Sequence, residues 1–197
     1  MAVSFGRVGA YSFYPTKNLG AIGDGGALVS SDESLMDRTG VLRNYGQSVR
    51  YEHPEPGLKS RLDELQAALM MVRLDWLDRF TRLRQEIAGS YQAKLDNPLI
   101  ELLQAPEHPE NHVCHLFVIT CVRREHLSEF LQERGVATLI HYPITVHHQL
   151  PCSDIRRDPQ GVAASERNPG KCLSIPCHPQ MSDADVDHVI KAVNDFC

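Results

Sequence analysis

The longest periodic pattern of apolar residues lies in the middle of the chain. Apolar side chains recur there every three or four positions, the spacing that places them on one face of a helix. They are Leu62, Leu65, Leu69, Val72, Trp76, Phe80, Leu83 and Ile87. The pattern predicts one helix over 62–93, which Asn97 and Pro98 terminate. Such a length is unusual within a small domain, so we expect this helix to join two domains or two subunits.

The segment before this helix predicts little regular structure. Ala27–Val29 is typical of a short strand, and Asp32 is placed to cap a helix over 33–44. The prolines and glycine within 47–60 predict a loop. Because a lone strand cannot form a stable sheet, we expect the first 45 or so residues to be the end of a larger domain.

The segment after the long helix predicts a small α+β unit. Strands are expected over 113–122, 136–140 and 173–175, with a helix over 125–134 that ends at Gly135. Ser182 is expected to cap a final helix, with acidic residues in its first turn. The predicted organisation is therefore 1–60 as the end of a large domain, 61–104 as a connecting helix, and 105–197 as the α+β unit.

Composition and charge exclude several classes of protein. The 197 residues are 42% hydrophobic and carry a formal net charge of -5, without a long basic run that would favour nucleic acid. No apolar run is long enough for a membrane span, and the amino-terminal segment does not resemble a signal peptide, so a cytoplasmic location is expected. The six cysteines form no Cys-x-x-Cys pair and are expected to be free thiols.

The segment from Ser12 to Gly20 is the best candidate for a reactive site. A lysine acts as a nucleophile when desolvation or a nearby cation favours its neutral amine, and a rigid loop rich in glycine and aromatic residues can provide this for Lys17. Ser12 offers a hydroxyl that suits a phosphate oxygen. The pattern matches neither the Ser-x-x-Lys motif nor a Walker loop. By itself, a lysine in a loop is most often a solvated surface residue.

Several strings of sequence, in order, resemble one enzyme family. SFYPTKNLGAIGDGGALV at 12–29 is similar to the lysine segment of the DegT/DnrJ/EryC1/StrS sugar aminotransferases. LRNYG at 42–46, SRLDELQAAL at 60–69, IHYP at 140–143 and SIPCHPQMSDADVD at 174–187 match the same family. The resemblance implies an α/β fold of the aspartate aminotransferase-like type (fold type I), here an incomplete large domain followed by the small α+β domain. It also implies pyridoxal 5'-phosphate (PLP) as cofactor and a homodimer.

The same resemblance assigns roles to individual residues. Lys17 would form the Schiff base with PLP and move the proton during transfer, and Ser12 would hold the cofactor phosphate. Lys59 stands where the family frequently has an asparagine that binds phosphate across the dimer. Arg61 lies two residues later, and either cation is a candidate for that contact. The residues expected to line the sugar site are Tyr14, His141, Tyr142 and His147.

The resemblance further implies a reaction, and it implies that this chain lacks part of what the reaction requires. The loop around Lys17 is most similar to members that transfer an amino group from L-glutamate to a dTDP-linked 3-keto-6-deoxyhexose. The family is about twice as long, and the part not matched here would carry the acidic partner of the PLP ring nitrogen, a role that Asp24 does not fit. We therefore expect the chain alone to be inactive or nearly so. A truncated non-catalytic homologue and a nucleotide-sugar-binding module remain alternatives.

A metal site is not predicted. His141, His147 and His148 form the densest group of histidines, but their spacing matches no common zinc pattern. His108, His112 and His115 precede a predicted strand within a polar segment and are expected to be solvated.

Overall fold

The computed structural model describes residues 6–197, which form two compact units divided between Asp78 and Arg79. Residues 1–5 belong to the amino-terminal segment considered above and lie outside the described residues. The division falls within the expected connecting segment 61–104. Within the described range, none of the helices has both the length and the apolar character that crossing a membrane requires.

The first unit begins with a two-stranded antiparallel sheet. Strands β1 (Gly9–Ser12) and β2 (Gly26–Val29) pair so that Gly9 is opposite Val29 and Ser12 is opposite Gly26. Sequence analysis predicted β2 but missed β1, because four residues reading GAYS carry no alternation of apolar and polar positions. A Cβ atom at Gly26 would lie 2.8 Å from the Tyr11 carbonyl oxygen, so glycine permits this close pairing.

Helix α1 (Glu33–Leu42) follows β2 and confirms the predicted cap. The Asp32 carboxylate accepts a hydrogen bond from the backbone N–H of Leu35 at 3.1 Å. The loop after α1 folds back on itself through an antiparallel bridge between Asn44 and Lys59. At Gly46 the backbone has a φ of 71°, in the left-handed region that favours glycine.

The prediction of one continuous helix over 62–93 is wrong. The structure has α2 (Glu64–Leu74) and α3 (Leu77–Lys94), which are separated at Asp75 and Trp76. The Trp76 N–H bonds to the Arg73 carbonyl three residues earlier, at 3.1 Å. This tightened turn ends the regular ladder of α2. An apolar stripe predicts the face of a helix, but it does not reveal such an interruption.

The second unit has a three-stranded antiparallel sheet in the order β3 (Glu101–Leu102), β4 (Phe117–Thr120) and β5 (Cys172–Ile175). Its other helices are α4 (Arg124–Glu133), α5 (Ala163–Arg167) and α6 (Asp183–Asn194). The largest fully buried side chains are Tyr91, Ile119, Leu127, Leu131, Leu173 and Val193. They come from α3, the sheet, α4 and α6, so the core lies between the sheet and these helices.

Most predicted elements of this unit are confirmed, with two corrections. The strand expected over 113–122 is confined to Phe117–Thr120, because the backbone at Cys114 has a φ of 44°, which is incompatible with a strand. The strand expected over 136–140 is wrong, since only a bridge between Leu139 and Ser174 forms there. Helices α4 and α6 and strand β5 are confirmed. All six cysteines are free, as predicted.

Two helix ends in this unit have the predicted chemistry. Gly135, with a φ of 74°, follows α4 in the left-handed conformation that ends many helices. Ser182 and Asp185 form a capping box at the start of α6. Hydrogen bonds from the hydroxyl and backbone N–H of Ser182 lower the pKa of the Asp185 carboxyl below its ordinary value.

Arg84 is a buried cation that holds together segments distant in sequence. Its guanidinium, on α3, donates hydrogen bonds to the carbonyl oxygens of Cys114, His115 and Cys177, and the side chain is only 7% exposed. Burial lowers the pKa of Arg84, because desolvation disfavours its charged form. The three carbonyl oxygens offset this cost and thereby connect the segments that enter β4 and leave β5 with α3.

We expect Arg84→Met to destabilise the chain by about 3 kcal/mol or more, because hydrogen bonds to charged groups contribute roughly 1.5–3 kcal/mol each. Urea unfolding monitored by circular dichroism measures the change in the free energy of unfolding. Arg82→Met, at an exposed position of the same helix, is the matched control and should change it little. Equal effects of the two substitutions would contradict the role given to Arg84.

Candidate active site

The loop that carries Lys17 is closed at its base by backbone hydrogen bonds. The β1–β2 pairing continues beyond Ser12, where the Phe13 N–H donates to the Gly25 carbonyl at 2.8 Å. The Ala21 N–H then donates to the Phe13 carbonyl at 2.7 Å. Backbone hydrogen bonds therefore fix both ends of the loop to the sheet.

Close packing inside this loop fixes the position of Lys17. The Lys17 N–H donates to the Tyr14 carbonyl at 2.8 Å, which forms a turn over 14–17. A Cβ atom at Gly20 would lie 2.3 Å from the Pro15 carbonyl oxygen, so only glycine fits there. Gly20 and Ala21 are buried and Lys17 is half-buried. The lysine thus stands on a turn backed by tightly packed backbone.

Ser12 and Tyr14 occupy the entry to the same loop. The Ser12 hydroxyl oxygen lies 3.3 Å from the Tyr14 N–H and accepts a hydrogen bond from it. Both side chains are exposed. With its oxygen accepting this bond, Ser12 keeps its own O–H to donate to an acceptor such as a phosphate oxygen. Ser12 thus ends β1, and Tyr14 and Lys17 lie in the loop that follows it.

Lys59 and Arg61 lie in the first unit. Lys59 is the residue that pairs with Asn44 at the end of the loop after α1, and Arg61 follows two residues later. The Arg61 guanidinium lies 5.6 Å from the centroid of the Tyr45 ring, within the range of a cation–π contact. Arg61 also lines a cavity of about 800 Å³, together with Arg43 and parts of β1, β2 and α1. Two guanidinium groups beside this cavity make it suited to an anionic group.

The remaining predicted residues lie in the second unit. A cavity of about 290 Å³ has His141, Tyr142 and His147 among its lining residues. His141 is positioned by β5, since its Nδ1 atom lies 2.8 Å from the Ser174 hydroxyl, and the Leu139–Ser174 bridge fixes the backbone nearby. The structure thus brings these three residues together, while Ser12, Tyr14, Lys17, Lys59 and Arg61 belong to the other unit.

Sequence analysis missed Gln66, which supports the Lys17 loop. Its Oε1 atom accepts a hydrogen bond from the Ile22 N–H at 3.0 Å. A Cβ atom at Gly23 would lie 2.6 Å from the Gln66 Nε2 atom, so the glycine leaves space for this side chain. The helical pattern assigned no role to Gln66, and nothing in the local sequence indicates a partner 44 positions earlier.

This architecture is shared with solved structures of aminotransferases. The structure of DesV from S. venezuelae, in complex with a ketimine intermediate, matches with a TM-score of 0.84 and 39% identity. The match covers 96% of this chain and 52% of that one. The fold is therefore that of the PLP-dependent sugar aminotransferases of fold type I, over about half of their length.

The chain belongs to the DegT/DnrJ/EryC1/StrS aminotransferase family, which it matches over residues 1–194. It is 45% identical over 183 residues to the erythromycin biosynthesis sensory transduction protein EryC1 of Saccharopolyspora erythraea. The matched region covers 92% of this chain and 50% of that relative. It is 42% identical over 193 residues to the dTDP-3-amino-3,6-dideoxy-alpha-D-galactopyranose transaminase of Aneurinibacillus thermoaerophilus, which covers 98% and 52% respectively. The chain spans about half the length of these curated relatives.

We expect Gln66→Ala to loosen the Lys17 loop. A hydrogen bond contributes about 1 kcal/mol, so its loss should raise the amide exchange rate of Ile22 about fivefold, as measured by NMR. Gln47→Ala is the matched control, because Gln47 accepts its hydrogen bond from Asn44 and not from this loop. Unchanged Ile22 exchange in Gln66→Ala would contradict the supporting role of Gln66.

Proposed function

We propose that the protein containing this chain is a PLP-dependent aminotransferase of nucleotide-linked keto-sugars, with Lys17 as the residue that bonds to the cofactor. The carrying observation is the half-buried Lys17 on a turn fixed by β1 and β2, inside the string that matches the family. The names of relatives such as the Aneurinibacillus transaminase support a sugar as the amino acceptor.

The residues of the Lys17 loop fit the two ends of PLP. The aldehyde of PLP bonds to an amine, which Lys17 provides. Its phosphate binds hydrogen-bond donors, and the Ser12 hydroxyl is one of them. Lys59 and Arg61 are proposed as further cationic partners of the phosphate, since Arg61 lines the cavity bordered by two guanidinium groups. When bound, PLP supplies the carbonyl that exchanges amino groups and a ring that accepts electrons.

Lys17 is proposed to have two tasks. Its amine retains the cofactor between reactions and, once released from it, accepts and returns the proton on the substrate carbon. Both tasks require the Nζ atom to stay at a defined position, which the turn over 14–17 and the packed backbone at Gly20 favour. The Ser12 hydroxyl on the same segment would hold the phosphate end at a fixed distance along the chain.

Two separate sets of residues are proposed as sugar contacts: Tyr14 in the first unit, and His141, Tyr142 and His147 in the second. Imidazole and phenol side chains suit sugar hydroxyls and diphosphate oxygens, because they donate and accept hydrogen bonds. The Ser174 hydroxyl occupies the Nδ1 side of His141, which leaves Nε2 for a substrate group. The cavity of about 290 Å³ is large enough for part of a nucleotide-linked sugar.

The finer assignments extend this proposal. We propose a dTDP-linked 3-keto-6-deoxyhexose as acceptor and L-glutamate as donor, on the basis of the sequence around Lys17. The transaminase relative whose name carries a dTDP-linked 3-amino sugar agrees with the position of amination. A homodimer is proposed because Leu65, Met71 and Val72 on α2 are each more than 60% exposed, which is unusual for adjacent apolar side chains on a helix.

Covalent trapping tests the central assignment. The purified chain is incubated with PLP, reduced with borohydride, digested and analysed by mass spectrometry. We expect the pyridoxyl label on the Lys17 peptide, because a fixed amine with a phosphate donor nearby competes best for the aldehyde. Lys17→Ala should lose that label, while Lys94→Ala, at an exposed lysine of α3, should retain it.

A label spread evenly over the surface lysines, or one of equal amount in Lys17→Ala, would contradict the proposal. With a folded chain, that result would favour a non-catalytic homologue or a nucleotide-sugar-binding module. Circular dichroism of each variant distinguishes loss of the amine from loss of the fold.

A further inference from the structure

Two neighbouring histidines in the second unit direct ring nitrogens to one point. His147 and His148 lie on a 3-10 turn over Val146–His148, and their ring centroids are 4.3 Å apart. The Thr145 hydroxyl oxygen lies 3.3 Å from His147 Nε2 and 3.1 Å from His148 Nδ1. Because one hydroxyl carries one proton, it can donate to only one of the two nitrogens. Each imidazole ring therefore has one nitrogen beside the Thr145 hydroxyl.

A carboxylate from a separate element reaches the same place. Glu166, on α5, has its Oε1 atom 3.5 Å from His147 Nε2. One nitrogen from each histidine and one carboxylate oxygen of Glu166 all lie within 4.8 Å of one another. The absence of a metal was predicted from the spacing of His141, His147 and His148 alone. That reasoning could not include Glu166, which the folding of the 153–166 segment brings into position.

An ion pair is the simplest alternative explanation of this group. It accounts for His147 and Glu166, but it gives no part to His148, whose Nδ1 atom lies beside the same Thr145 hydroxyl. The surrounding charges do not exclude a cation. Arg156 and Arg157 line the adjacent cavity of about 420 Å³ together with Asp158 and Glu166, so the formal charges balance.

We propose that His147, His148 and Glu166 bind one divalent ion of the zinc class. Two imidazoles and one carboxylate form a donor set that suits zinc and neighbouring transition metals. The three ligand atoms lie within 4.8 Å of one another, whereas zinc–ligand bonds of about 2.0–2.2 Å place tetrahedral ligands roughly 3.3 Å apart, so the most distant pair must approach by up to about 1.5 Å. Rotation of the exposed His148 and Glu166 side chains provides that movement.

The arrangement leaves the ion open to a further ligand. Three protein ligands leave at least one coordination position for water or another small ligand. The cavity of about 420 Å³ begins at His147 and Glu166 and is large enough to admit one. This inference shares only His147 with the proposed sugar contacts and rests on the geometry of the second unit alone, so its failure would leave the assignment of Lys17 unchanged.

Zinc titration of the metal-free chain tests the proposal. Isothermal titration calorimetry with Zn²⁺ alone is carried out on the unmodified chain, His148→Ala and Glu166→Gln. We expect one equivalent bound by the unmodified chain, with affinity reduced about tenfold or more in each variant. Matched controls are His126→Ala and Glu129→Gln, at exposed positions of α4, which should bind like the unmodified chain.

Thermal unfolding provides a second readout that does not depend on enzyme activity. A ligand that binds the folded chain raises its unfolding temperature, so Zn²⁺ should raise the value for the unmodified chain more than for either site variant. Glu166→Gln keeps the size of the side chain and therefore tests the carboxylate without disturbing packing. No saturable binding, or equal binding by the unmodified chain and both site variants, would overturn the proposal and assign any bound zinc to other groups such as the cysteine thiols.

Discussion

Antiparallel backbone pairing at the ends of the chemically important loops is the constraint on which this structure depends. The pairing of β1 with β2 closes the loop that presents Lys17, and it continues past the last strand residue through the bond from Phe13 to Gly25. In the second unit, the bridge between Leu139 and Ser174 fixes the segment that leads to the histidines. Reactive side chains on loops can then keep their position, because the adjacent backbone is held by these hydrogen bonds.

The same constraint explains why small residues and buried polar groups appear where they do. Gly20 is required because the Pro15 carbonyl occupies the space of a side chain. Gln66 completes the hydrogen bonding of a loop amide that β pairing does not reach. Arg84 does the same for carbonyl groups around the sheet of the second unit. Gln66 and Arg84 thus satisfy backbone groups that the fold would otherwise leave without a partner, whereas Gly20 permits the close packing of backbone on backbone.

The sequence pattern predicted the features that depend on residues close together in the chain. The caps at Asp32 and Ser182 and the stop at Gly135 were predicted correctly, since each depends on residues within one helical turn. Strand β1 was missed and the break at Asp75 was not foreseen, because pairing and packing decide them. For the site, resemblance predicted Lys17 as the candidate lysine. Contacts across long sequence separations, such as those of Gln66 with Ile22 and Glu166 with His147, became apparent only from the folded chain.

The most direct test of the account asks whether an amino donor removes the cofactor from Lys17. The protein that contains this chain is loaded with PLP and exposed to L-glutamate before borohydride reduction. The label on the Lys17 peptide is then quantified by mass spectrometry, with D-glutamate as the matched control. We expect L-glutamate to remove most of the label and D-glutamate to leave it, because an aminotransferase site recognises its donor. Equal labelling with both, at the level seen without donor, would contradict the assignment of Lys17 to amino-group transfer.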